Sequence, residues 1–204
     1  MDVPQQSKRA LRRHKALVTL IGFLALGLAV LGWNSWSQPP SPSLVALPAG
    51  GSVRLALLRA GPRERLALDQ PAPDFALAYA NGQTLRLSEL RGSPVVLNFW
   101  ATWCTPCKAE MPELEALYRE TGGGSSFEIL AINMREAPEP VASYGEELRL
   151  TFPLVVDPDG LLSTSYRVTV LPTTVVIDAQ GIVREQHLGP LTQTQLRELL
   201  ATLP

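Results

Sequence analysis

The stretch SPVVLNFWATWCTPCKAEMPELEALY, Ser93 to Tyr118, changes periodicity in its middle and holds both cysteines of the chain. Its first nine residues, SPVVLNFWA, form an apolar run of strand length, the pattern of a central strand buried on both faces. From Cys107 the apolar residues fall on helical spacing: Cys107, Met111, Leu114 and Tyr118 stand at i, i+4, i+7 and i+11 and make one stripe. The helix starts at about Cys104 and ends at Gly122-Gly123-Gly124. Cys104 and Cys107 therefore sit where a buried strand runs into a helix. Two cysteines three apart can be a redox couple, half of a zinc site or a structural bridge.

The rest of the chain narrows the choice. Its 204 residues leave room for one domain plus extras, and the net charge of −1 hides an asymmetry. Residues 1–15 sum to +4, from Lys8, Arg9, Arg12, Arg13 and Lys15 against Asp2, so the remainder sums to −5. These basic residues flank the uncharged run ALVTLIGFLALGLAVLGWNSW, Ala16 to Trp36, and do not form a patch on a folded face. Nucleic acid is therefore not an expected partner. As a helix, the run would span about 31 Å, the thickness of a bilayer core. Trp33 and Trp36 close it, and the next charge is Arg54. The expectation is an uncleaved single-pass anchor at 16–36 in the cell inner membrane. Residues 1–15 form a cytoplasmic tail and everything after residue 37 lies outside the cytoplasm. A cleaved signal peptide is the weaker reading, because the run is long and NSWSQPP offers no small-x-small site. Export places both cysteines where disulfides can form.

Residues 37–69 open with the Pro/Ser/Gly-rich SQPPSPSLVALPAGG and read as a linker. Within them, VRLALLRAGPRERLAL (53–68) is partly apolar and broken by Gly61-Pro62; it is assigned no element, a first short strand being one reading. Residues 70–204 read as the folded domain. Asp74–Tyr79, the Asn81-Gly82 turn and Gln83–Leu87 predict a hairpin, and Ser88–Leu90 a helical turn. After the strand–helix unit come a strand at Phe127–Met134, a helix at Pro140–Leu150, a strand at Phe152–Val156 and a short helix at Leu161–Tyr166. A second hairpin follows at Pro172–Asp178 and Ile182–His187, and a helix at Thr192–Leu203 closes the chain. This order implies an α/β domain, a mixed sheet with helices on both faces.

At a helix N-terminus, free N–H groups and the positive end of the dipole favour an anion such as a thiolate. Thiols there titrate below the free value of about 8.5, which makes Cys104 the attacking sulfur, facing solvent, and Cys107 the resolving one. Pro106 is tolerated in the first turn and stiffens the loop. Zinc wants four ligands, and beyond the pair the exported part offers only His187, read as a surface residue. A structural bridge across so small a loop adds little stability. Redox chemistry is the reading that remains, with no metal or cofactor.

NGQTLRLSELRGSPVVLNFWATWCTPCKAEMPELEALY, with VLPTTVVIDAQGIV downstream, resembles the TlpA/ResA-like membrane-anchored thiol–disulfide oxidoreductases over about residues 70–204. The resemblance implies a thioredoxin-like fold in the bacterial cell envelope and a Cys104–Cys107 redox pair. It implies a cis-proline at Pro172 facing the pair, with the backbone of Leu171 pairing with substrate. It makes Pro112 a helix-kinking residue and Glu110 an acid near the pair, able to take the proton of Cys107. Asn98 stands where thioredoxins carry a buried aspartate, which leaves Glu110 as the proton acceptor. Trp100 reads as core and Trp103 as a cover over the disulfide. The implied function is reduction of client disulfides during cytochrome c or copper-site maturation. Client proteins with cysteine pairs, apocytochrome c among them, and a membrane thiol reductase as electron donor are the expected partners.

Three rivals stand beside this. A disulfide-forming oxidant would use the same residues in the opposite direction. A copper-binding assembly factor would hold Cu(I) on the thiols, with His187 as third ligand. A peroxidase would need a Pro-x-x-x-Thr/Ser-x-x-Cys loop, but seven and three residues before Cys104 stand Leu97 and Ala101.

Overall fold

The computed structural model describes residues 55–60, 66–79 and 81–204. The expected tail and anchor, and the linker up to residue 54, lie outside the described residues. Among the described residues no helix is long and apolar enough to cross a membrane.

Eight strands form one sheet: β1 (Leu55–Ala60), β2 (Ala76–Tyr79), β3 (Thr84–Arg86), β4 (Val95–Trp100), β5 (Glu128–Met134), β6 (Leu154–Asp157), β7 (Thr173–Ile177) and β8 (Val183–Leu188). Their order across the sheet is β3-β2-β1-β6-β5-β4-β7-β8. β1, β6, β5 and β4 run parallel to one another, and β2, β3, β7 and β8 are joined by antiparallel pairings at the two margins. The helices are α1 (Thr105–Glu120), α2 (Pro138–Glu147), α3 (Leu161–Ser165) and α4 (Gln193–Ala201), and Leu87–Leu90 makes a 3-10 turn.

This mixed sheet is the expected α/β architecture, with one boundary corrected. Residues 37–69 were expected as a linker, yet β1 lies inside that span and pairs in parallel with β6 and antiparallel with β2. Its hydrogen-bonding partner on one side comes from almost a hundred residues downstream, so nothing local in LALLRA marks it as a central strand. The folded domain therefore begins by Leu55.

Side chains alternate across the sheet with the period of two that a strand imposes. On β4, Val96 and Trp100 join one core cluster, with Cys107, Met111 and Leu114 of α1, Val141 of α2 and Leu196 of α4. Val95, Leu97 and Phe99 join the other, with Phe75, Leu162 and Tyr166. All six residues of β4 are buried, as a strand covered on both faces requires. The stripe expected on α1 is also buried throughout: Cys107, Met111, Leu114 and Tyr118 all face the first cluster. Asn98 has the parity of Val96 and Trp100 and so faces α1. This is the feature of the fold that matters most for chemistry.

On the opposite face Tyr166 is fully buried, and its hydroxyl donates to the Pro73 carbonyl at 2.7 Å. Its ring lies edge-on to Phe75 and tilted against Phe99. Replacing Tyr166 by Phe keeps the packing but leaves that carbonyl without its donor, so urea unfolding should show a loss of about 1–2 kcal/mol.

Candidate active site

β4 ends at Trp100, and a tight turn then reverses the chain into α1. The turn is closed by the Cys104 N–H donating to the Ala101 carbonyl at 3.2 Å. Cys104 is the N-cap of α1, with Pro106 in the first helical turn. Cys104 and Cys107 are joined as a disulfide, and the Cys107 N–H donates to the Cys104 sulfur at 3.3 Å. The sulfur at the helix start therefore already accepts a backbone N–H, the interaction that would stabilise a thiolate after reduction.

Cys104 was expected to face solvent. It is instead only 5% exposed, and Cys107 is fully buried. The pair belongs to the core cluster under α1, because the turn lays the first residues of the helix back on the sheet. Trp103 departs from expectation in the other direction: it is 69% exposed and stands out as a rim, packing into neither core cluster. Trp100 is fully buried against the Tyr144 ring.

The Leu171–Pro172 peptide bond is cis. Pro172 is buried, and its carbonyl accepts from the Gly189 N–H at 2.9 Å. Leu171 is half-buried and packs against both core clusters. Among the described residues, none donates to or accepts from the Leu171 backbone.

Glu110 lies one turn beyond Cys107 and is only 2% exposed. Its Oε2 accepts from Asn98 Nδ2 at 3.0 Å and its Oε1 from the Leu191 N–H at 2.9 Å. Asn98 Nδ2 also donates to Thr174 Oγ1 at 3.1 Å, while the buried Asn98 Oδ1 has no partner among the described residues. Burial dominates the carboxyl and raises its pKa from 4.5 to about 7, although both hydrogen bonds pull it down. The residue at the thioredoxin aspartate position thus touches the very carboxylate read as its substitute. The group is set to exchange a proton at neutral pH.

His187 was read as a surface residue; it is half-buried on β8, where it pairs with Thr174, itself the partner of Asn98. Leu97 and Ala101, the positions a peroxide-binding loop would fill with proline and a hydroxyl residue, are fully buried and apolar.

One residue at the site was missed. Glu136 follows β5, and its carboxylate accepts from the Thr102 N–H at 2.7 Å, from the Thr102 hydroxyl and from Asn133 Nδ2 at 2.6 Å. A signal was present: Glu136 stands just past an apolar strand, at the end of the sheet where α/β proteins gather functional loops.

That same end carries an apolar rim. β4, β5 and β6 finish there, β7 begins there and β8 returns there, with Leu188 opposite Thr173. Among the described residues, four of the five large exposed hydrophobic side chains lie at this end: Trp103 at 69%, Leu188 at 57%, Leu161 at 50% and Val170 at 47%.

Comparison with known proteins agrees with this geometry. Residues 68–186 match the AhpC/TSA family. The thiol-disulfide oxidoreductase ResA of Geobacillus kaustophilus is 40% identical over 141 residues, covering 68% of this chain and 79% of that protein. The crystal structure of StoA from Bacillus subtilis superposes with a TM-score of 0.54 at 28% identity, covering 64% of this chain and 97% of that one. A thiol:disulfide interchange protein of the thioredoxin family from Chlorobium tepidum gives 0.58 at 26% identity, covering 68% and 98%. The chain belongs to the AhpC/TSA family, as an enzyme among its thioredoxin-like thiol–disulfide oxidoreductases of the ResA kind.

Proposed function

We propose that this enzyme reduces disulfides in client proteins outside the cytoplasm, held to the inner membrane by residues 16–36. The observation that carries a protein substrate is the apolar rim. Trp103, Val170, Leu161 and Leu188 are exposed at the end of the sheet that carries the nearly buried disulfide and the unpaired backbone of Leu171, a surface suited to an extended polypeptide.

The reaction balances without a cofactor. The Cys104 thiolate attacks one sulfur of the client disulfide, forming a mixed disulfide, and the other client sulfur leaves as a thiolate. Cys107 passes its proton to Glu110, and its thiolate attacks the Cys104 sulfur. The second client thiolate leaves, and the enzyme is left as the disulfide. Two electrons have moved to the client, and a membrane thiol reductase restores the dithiol. Resemblance to the TlpA/ResA-like proteins favours apocytochrome c or the cysteines of a copper site as client.

Direction is tested by potential. Proteins of this chemistry range from about −270 mV for reductants to about −120 mV for strong oxidants. Equilibration of the full-length chain with dithiothreitol should place it near the reducing end. A value near −120 mV would reverse the assignment to disulfide formation. Topology is tested separately: protease added to intact spheroplasts should degrade residues beyond 37 and spare the N-terminal tail.

A further inference from the structure

We infer that Glu136 is a positioning residue for the redox pair: it holds the 101–104 turn so that Cys104 stays seated over the first N–H groups of α1. The inference rests on disulfide exchange itself and is independent of its direction.

Thr102 and Trp103 are the two central residues of the turn that the Cys104 N–H closes onto Ala101. One of those two, Trp103, is exposed and held by no core cluster. The other is held by Glu136 through both its N–H, at 2.7 Å, and its hydroxyl. The Asn133 side chain fixes the carboxylate from behind at 2.6 Å. Asn133 pairs with Trp100 across β4 and β5, so the turn is tied back to the strand beside the one it leaves.

The backbone reaches this arrangement at a cost. Arg135 has φ +60°, a left-handed conformation rare for a residue with a side chain, and its N–H donates to the Asp157 carbonyl at 3.0 Å. The bend is what carries Glu136 from the end of β5 back toward Thr102.

Without the carboxylate, Thr102 loses both of its ties, and the 101–104 turn is closed by the Cys104 N–H bond alone. The sulfur can then swing away from the Cys107 N–H, which weakens the thiolate as nucleophile and destabilises the dithiol relative to the disulfide.

The test uses the detergent-solubilised full-length chain. In Glu136→Ala, the reaction of reduced Cys104 with 5,5′-dithiobis(2-nitrobenzoate) should slow about tenfold. The equilibrium with dithiothreitol should move about tenfold toward the protein disulfide, about 30 mV more reducing. Glu136→Gln can keep every contact, accepting from the Thr102 N–H and Asn133 with its oxygen and donating to the Thr102 hydroxyl. It should stay within about twofold of wild type on both readouts. Thr102→Val removes only the hydroxyl tie and should give about a threefold effect, which tests the inference even if Glu136→Ala folds poorly. Wild-type values in Glu136→Ala, or in Thr102→Val where the former does not fold, overturn the proposal. So does a Gln variant as impaired as the Ala variant, since that assigns the effect to charge.

Discussion

Cys107→Ser should accumulate mixed disulfides with client proteins in cells, whereas Cys104→Ser should accumulate none. The asymmetry follows from position. Cys104 caps α1, where its sulfur accepts the Cys107 N–H, and it retains 5% of its exposure; Cys107 has none. In the proposed mechanism Cys104 therefore meets the incoming disulfide, and Cys107 releases the product. With serine at 107 the first exchange proceeds and the second cannot, so turnover falls essentially to zero while the client remains bound. Non-reducing gels of alkylated lysates read the result, and mass spectrometry of the trapped species names the client. Equal trapping by the two variants would overturn the assignment of attacking and resolving sulfurs.

The second large effect belongs to Glu110. Glu110→Gln should leave attack by Cys104 within about threefold of wild type and slow release of the mixed disulfide by about 10²–10⁴-fold, the usual worth of a positioned proton acceptor. Rapid-mixing kinetics on a model disulfide peptide separate the two steps, and an unchanged release step would remove Glu110 from the mechanism. Stability carries an independent signature. Because burial raises the folded-state pKa from 4.5 to about 7, the folded chain binds more protons than the unfolded one between those values. The stabilisation from this group is complete below about pH 4.5 and is lost as pH rises through about 7, a change of about 3 kcal/mol at about 1.4 kcal/mol per unit. Urea unfolding of the oxidised protein at pH 5 and pH 8 should show most of that loss in wild type and not in Glu110→Gln. Asn98, whose buried Oδ1 has no partner among the described residues, can turn its amide over to accept from the glutamine.

Where chemistry depends on neighbours along the chain, the residues were readable in order. The apolar run of β4, the helical stripe of α1 and the pair between them are local patterns, and each is buried as its spacing requires. The hairpins at Asn81-Gly82 and at Ala179–Gly181 were likewise visible, because tight turns carry their own residue chemistry. The lost boundary and the missed residue have one cause. β1 joins the sheet through β6, and Glu136 reaches Thr102 across 34 residues of chain. Neither partner leaves a mark on the local sequence of the other. The exposure of the site was misjudged for a related reason: whether a cap residue faces water depends on how closely the helix start lies against the sheet.

The amino-acid sequence by itself determined the reacting groups, since two cysteines at a strand–helix junction, with a proline between them, allow little other chemistry. Only the tertiary structure decided their surroundings. It buried the pair and set Trp103 outward. It closed Glu110 between Asn98 and Leu191, the latter 81 residues away, and so moved a carboxyl into the neutral range. Reactivity resides in residue type and local backbone, which sequence carries directly. Proton affinity and attack geometry depend on desolvation and on hydrogen bonds between distant segments, which exist only once the sheet has assembled.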